Sequence, residues 1–252
     1  MSVEAALLSI AVAVAAGLVG SFAVMRKMSP AADPLSHIAL PGIGLALALH
    51  AQPIFGALLA LLAGAVLVWL LEERAQAATE AIIRVVFSAA LAIGSLTTSG
   101  ENLIDALFGN AGVPSVAEIV FVLVAAAAIV VFIIARRNSL MVMLVSPDLA
   151  RTAGVNVWRL ELAYMLIFAL TRALGLRYLG VLLMGALIIV PAVTAKRLAG
   201  NLNEMLLLAV VFAVVSTVLG GALASLPNQE TGPFIVLVAA GGFLISLLLR
   251  RS

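Results

Sequence analysis

An all-α, polytopic membrane protein is the fold class this sequence predicts, a bundle of about eight to nine transmembrane helices. Three observations carry that expectation. Of 252 residues, 64% are hydrophobic and only 10% charged, whereas a soluble domain carries about 25% charged residues. The apolar residues fall in long continuous runs rather than the short alternating segments of a membrane β-barrel. A helix needs about 20 apolar residues to cross a bilayer, so the content fills eight or nine spans and leaves little outside the membrane. The net charge of +2 is too small to favour nucleic acid. With no cysteine, disulfides, Cys-ligated zinc and thiol nucleophiles are excluded.

Polar breaks divide the chain into nine candidate helices, over 5–25, 35–49, 54–71, 81–97, 117–135, 160–174, 178–195, 205–226 and 233–249. The first lacks the positive n-region of a signal peptide and stays apolar to Met25, so it is expected to be a retained span. The second and sixth are short, and are expected to gain a turn from flanking residues or to sit partly inside the bundle. Basic residues set the orientation. With the N-terminus outside and nine crossings, the inner ends carry Arg26, Lys27, Arg74, Arg84, Arg136, Arg137, Arg151, Arg159, Lys196, Arg197, Arg250 and Arg251. Only Arg172 and Arg177 then fall outside. Two connections are longer than turns. The outer one, 99–116, holds Glu101, Asp105 and a short helix over 102–108; the inner one, 138–157, holds Ser146-Pro-Asp-Leu-Ala-Arg-Thr-Ala-Gly154. A shorter outer loop, 227–232, carries Glu230. No repeat, linker or low-complexity stretch marks a second domain, so residues 1–252 are expected to form one transmembrane domain.

An ionisable side chain within a span is costly and marks a functional site by default. Asp33 and His37 are the strongest case. Four residues apart, they share one helix face, with Cβ atoms about 6 Å apart. Pro34 suits a first helical turn, which puts Asp33 at the N-cap. The following Ile38-Ala-Leu-Pro-Gly-Ile-Gly44 is interrupted by Pro41, Gly42 and Gly44, the pattern of a broken helix whose freed backbone groups line protein or a cavity. A carboxylate oxygen with an imidazole nitrogen is a first-row metal pair, suited to Zn²⁺ or Mn²⁺, and two ligands without a cage release their ion readily. The same residues serve equally as a helix cap and a histidine bonded to a neighbouring carbonyl. Spacing alone leaves both readings open.

Other polar residues have plainer explanations. His50, beside Gln52 and Pro53, reads as an interfacial helix end, Glu80 and Arg84 as an i,i+4 ion pair, and Glu118 and Glu161 as carboxylates near span ends. The eight methionines are ordinary core filler. No G-x-x-x-x-G-K-[ST], G-x-S-x-G or H-E-x-x-H sequence occurs, so the chain is not expected to be an enzyme, and any ATPase lies on another chain. In the inner connection, Pro147 and Asp148 start a short helix with Asp148 at its positive end, and Gly154 ends it. Such a helix either docks a partner or simply joins two spans.

Four ordered stretches add a resemblance. Gly20-Ser-Phe-Ala-Val-Met-Arg-Lys-Met28 with Asp33-Pro-Leu-Ser-His-Ile-Ala-Leu-Pro-Gly42 is similar to R-R-M…G-D-x-L-(S/A)-H-(A)-x-L-P-G, and Leu107-Phe-Gly-Asn110 to L-F-G-(D/N). Ser146 to Gly154 is similar to S-P-D-L-A-x-x-x-G, and Gly180-Val-Leu-Leu-Met-Gly-Ala-Leu-Ile-Ile-Val-Pro-Ala-Val-Thr-Ala-Lys-Arg197 to V-G-x-L-L-x-x-A-L-L-I-I-P-A-A-T-A-R-R. Together, over about residues 17–200, they resemble the permease subunit of bacterial and archaeal ABC importers for zinc, manganese or iron(II), the ABC-3 group. The resemblance implies an ABC importer permease bundle in the cell membrane, working as a homodimer. It also implies two cytoplasmic ATP-binding subunits and an extracytoplasmic metal-binding protein as partners. Carried over by position, Asp33 and His37 become the transient site of a transported divalent metal, zinc first, or manganese or iron(II), with no covalently bound cofactor. Asp148, Leu149, Ala150, Ala153 and Gly154, in a coupling helix over about 147–155, become the contact with the ATPase. The carrier protein is expected to dock on loops 99–116 and 227–232.

The chain departs from the family pattern in three places. Ala32 and Pro34 flank Asp33 where the family has Gly and a small or polar residue, and Gly185 stands where many members carry a larger one. Members are often described with eight spans. An ion-coupled secondary transporter, expected to show an inverted repeat, and an intramembrane metalloenzyme using Asp33 and His37 are the alternatives.

Overall fold

Each long apolar run becomes a helix, and the polar breaks become the joints. The computed structural model describes residues 3–26, 38–49, 53–75, 79–97, 115–225 and 231–248. Among these there is no strand. The helices are α1 (Val3–Met25), α2 (Ala39–Ala48), α3 (Pro53–Ala75), α4 (Thr79–Thr97), α5 (Val116–Val145), α6 (Pro147–Thr152), α7 (Val157–Leu198), α8 (Leu202–Ser225) and α9 (Thr231–Leu248). Four contain stretches long and apolar enough to cross a bilayer: Ala6–Met25, Val116–Val145, Leu202–Ser225 and Thr231–Leu248. On α5 and α9 large apolar side chains such as Val124, Val131, Ile134, Leu237, Leu244 and Ile245 are exposed. Apolar surface on that scale belongs against lipid.

Three elements differ from the sequence expectation. The fifth span was expected over 117–135, but α5 runs 30 residues to Val145. Its length, about 45 Å, exceeds a hydrocarbon core of about 30 Å, so its last turns stand beyond the membrane. Hydropathy stops at Arg136 and Arg137, yet arginine is a good helix former. Beyond that pair Leu140 and Met143 are buried in the core, which carries the helix through what reads as the start of a loop. At the other end Ser115 and Glu118 form a capping box, with the Glu118 N–H donating to Ser115 Oγ at 3.3 Å and the Ser115 N–H to Glu118 Oε2 at 2.8 Å.

The 42 residues of α7 do not form one straight rod. Tyr164 donates its hydroxyl to the Val19 carbonyl at 3.0 Å. The next residue on α1, Gly20, lies against the Ile188 carbonyl with no room for a Cβ. A straight helix would hold Tyr164 and Ile188 about 36 Å apart. A Cβ on Gly175 would likewise collide with Met184. The segment is therefore bent back on itself between Gly175 and Met184, and its limbs correspond to the two expected spans 160–174 and 178–195.

The third difference is α2. Pro41 lies in its first turn, where a missing N–H costs nothing, so the helix continues through Gly42 and Gly44. These glycines serve packing: Gly42 meets Gly56 of α3 backbone to backbone, leaving space for no side chain.

At the centre is α1, apolar on every side and buried on every side. It packs on α5, on both limbs of α7 and on α8. Lipid tails are as apolar as leucine, so helices in a bilayer are held by close contact, and small residues permit it. Ala13, Ala15 and Ala16 are buried completely, and at Gly17 a Cβ would come 2.8 Å from the Ala209 carbonyl oxygen of α8. Replacing Gly20 by Ala should lower the thermal midpoint in detergent, because the obstacle is backbone; overpacking of this kind costs about 1–3 kcal/mol. Gly241 meets nothing within 4 Å, so Gly241→Ala should leave the midpoint unchanged or raise it, by the helix propensity of about 0.5–1 kcal/mol.

Candidate functional site

The best-defined polar construction is α6, between the end of α5 and the start of α7. Ser146 closes one helix and opens the next. Its N–H donates to the Val142 carbonyl at 2.9 Å, while its Oγ accepts from the Leu149 N–H at 3.3 Å. Pro147 occupies the first helical position, as the sequence predicts. The helix ends in a Schellman motif: the Gly154 N–H donates to the Arg151 carbonyl at 3.0 Å and the Val155 N–H to the Ala150 carbonyl at 2.9 Å. Gly154 has φ +77° with open space around its Cα, so conformation rather than crowding demands glycine there. Two residues on, Asn156 Oδ1 accepts from the Arg159 N–H at 3.1 Å and starts α7. Caps thus bond the whole stretch from Val145 to Arg159 to itself.

Side chains on this element divide into two faces. Ala150 is fully buried in the core cluster that also holds Val157, Leu160 and Tyr164. Asp148, Leu149, Arg151, Ala153 and Gly154 are exposed. Asp148 and Arg151 pair at 3.1 Å, but on so open a surface that pair contributes little stability. Leu149 is 59% exposed and Val145 70% exposed, an apolar ridge on an otherwise polar end. Trp158 stacks on the buried Trp69 of α3 with centroids 4.3 Å apart, which fixes the first turn of α7 against α3.

Basic residues gather at this end of the bundle, as the orientation expects. Arg26 at the end of α1 pairs with Glu161 in α7. Arg137 donates to Asn203 Oδ1 at 3.0 Å, joining α5 to the start of α8, and Lys196 and Arg197 are exposed nearby in sequence to buried Ala195. Sequence reasoning left Glu161 as a span-end carboxylate and missed the pair. The one available signal was that both residues fall on the same side in the charge count.

Arg172 corrects that count. It was expected outside, but it is fully buried, about 16 Å further along the helix than Glu161, with its guanidinium 4.9 Å from the Phe168 ring centroid. Hydropathy ends the sixth span at Leu174 and so treats an interior arginine as a flank. Asp33, His37, Glu101, Asp105 and Glu230 lie outside the described residues, as do the loops expected to receive a carrier protein. The residue after His37 is described: Ile38 is buried against Gly64 of α3. Among the described residues no group of three His, Cys, Asp or Glu comes together.

A helical bundle embedded in lipid, with a rigid short helix presented at its basic end, is the architecture of a transport permease. The match to the ABC 3 transport family covers residues 1–250, and the chain belongs to that family, as a multi-pass membrane permease rather than an enzyme. It is 29% identical over 238 residues to the high-affinity zinc uptake system membrane protein ZnuB of Haemophilus influenzae, covering 92% of this chain and 91% of that one. To the manganese transport system membrane protein MntC of Listeria innocua it is 29% identical over 249 residues, with coverage of 97% and 89%. The solved structure of PsaBC from Streptococcus pneumoniae in complex with Fab superposes with a TM-score of 0.83 at 29% identity, covering 97% of this chain and 90% of that one.

Because Gly154 holds a left-handed φ, Gly154→Ala should destabilise the end of α6 by about 1 kcal/mol. Hydrogen exchange at the Val155 amide should quicken accordingly, and Gly154→Asn, which tolerates that conformation, should exchange more slowly than Gly154→Ala.

Proposed function

We propose that this chain is the permease of an ATP-driven importer for a divalent transition metal, zinc first, or manganese or iron(II). The observation that carries the reading is the nearly full-length match to membrane proteins of zinc and manganese uptake systems. In this reading residues 1–252 form one permease domain that pairs with a second copy. An extracytoplasmic binding protein delivers the ion at the outer loops, where Glu101, Asp105 and Glu230 draw cations in. Asp33 and His37 replace part of the ion's hydration shell. A carboxylate and a neutral imidazole suit all three metals, and with only two protein ligands the ion is not trapped. Alternating access requires that the outward and inward states differ in affinity for it, and protonation of His37 would favour release.

On the cytoplasmic side two ATP-binding subunits dock on α6. Its caps support this role, since force applied to a frayed loop would be lost in local unfolding. Asp148, Leu149, Ala153 and Gly154 are the exposed contacts, and Ala150 anchors the helix to the core instead of touching the partner.

The reading is tested in proteoliposomes holding the permease, its ATPase and its carrier protein. Asp33→Ala and His37→Ala should assemble normally yet lose uptake of Zn²⁺, Mn²⁺ or Fe²⁺ and the stimulation of ATP hydrolysis by metal-loaded carrier. Uptake retained in both variants would remove these residues from the ion path. Leu149→Asp should lose co-purification with the ATPase while the permease alone keeps its thermal midpoint. Ion-driven uptake by the permease alone would instead establish a secondary transporter.

A further inference from the structure

We propose that the Arg26–Glu161 ion pair is the positioning link through which movement of α6 reaches the segment carrying Asp33 and His37, an inference that rests on the transport reading above. Arg26 belongs to the last turn of α1, its N–H donating to the Phe22 carbonyl at 2.9 Å. Seven positions later in the chain comes Asp33. Glu161 lies in the second turn of α7, which follows α6 through the Gly154 and Asn156 caps. Ala150 of α6 shares its core cluster with Val157, Leu160 and Tyr164, so α6 and the first turns of α7 form one rigid piece. The ion pair joins that piece to the end of α1 across 135 positions of sequence.

Its setting makes it an effective strut. The Arg26 and Glu161 side chains are only 13% and 26% exposed, so water substitutes poorly for either partner, and separating them leaves a charge uncompensated. Tyr164, one turn along, adds a second and third point of attachment. Its hydroxyl donates to the Val19 carbonyl at 3.0 Å, and the Arg26 guanidinium lies 5.6 Å from the centre of its ring. The other ion pair among the described residues, Asp148 with Arg151, stays within α6 and transmits nothing. Arg26 Nη1 is buried and donates to no acceptor among the described residues, so the guanidinium keeps a donor for a second acceptor when the helices shift. A displacement of α6 by the ATPase therefore moves Glu161, and through it Arg26 and the chain leading to Asp33.

The test uses the reconstituted complex of permease, ATPase and carrier, with Arg26→Lys, Glu161→Gln and the exchanged pair Arg26→Glu with Glu161→Arg. Three quantities are read: basal ATP hydrolysis, its stimulation by metal-loaded carrier, and metal imported per ATP. Glu161→Gln should assemble and hydrolyse ATP at the basal rate but lose carrier stimulation and import little metal per ATP. Arg26→Lys should fall between it and wild type, and the exchanged pair should recover part of the stimulation. Wild-type stimulation and metal per ATP in Glu161→Gln would overturn the proposal while leaving the transport reading intact. Failure of both single variants to assemble would reduce the pair to a structural staple, which also overturns it. Absence of carrier stimulation in the wild-type complex would instead reject the transport reading itself.

Discussion

Close approach of α1 to its neighbours is the constraint on which the rest of this molecule depends. Inside a bilayer there is no gain from moving an apolar side chain out of lipid and into protein, so association rests on contact at short range and on polar groups that find partners. In α1 the contact is made by Ala13, Ala15, Ala16, Gly17 and Gly20, with α8 and the returning limb of α7 resting directly on its backbone. The Tyr164 hydroxyl and the Val19 carbonyl satisfy one another at the same level. Remove the small residues and neither limb of α7 has a surface to lie on.

The bend in α7 follows from that arrangement and sets the geometry of the basic end. Because the chain turns back between Gly175 and Met184, both ends of α7 return to the side where α1 finishes and α8 begins. Met25 accordingly packs against Ala195, Met205 and Ala209, while its neighbour Arg26 reaches Glu161. Charged residues dispersed along the sequence are gathered at one face, next to the capped helix α6. A permease that takes energy from subunits on one side of the membrane needs such a face, stiff enough to be pushed and joined to helices that run to the ion path.

Much of this was legible before any coordinates. Continuous apolar runs fixed the helical class and most helix boundaries, since a chain in lipid must satisfy its backbone within the segment. Ser146, Pro147 and Gly154 marked both ends of α6 because caps are local chemistry, decided within four or five residues. The Asp33–His37 pair, by contrast, is legible only as spacing, and its surroundings lie outside the described residues. Reading hydropathy alone misplaced the end of α5, because a basic pair looks like a boundary while the helix continues through it to bury Leu140 and Met143.

Composition, periodicity and capping residues by themselves determined that this protein crosses the membrane many times, which end carries its positive charge, and where a short rigid helix interrupts the spans. Those are properties of neighbouring residues and of the solvent. Tertiary structure alone decided that Glu161 meets Arg26 across 135 positions, that Arg172 lies inside the bundle against Phe168, and that glycines read as helix breaks are helix contacts. Each depends on which helices touch and at what height, and that is fixed by packing between segments that carry no record of one another in their local sequence.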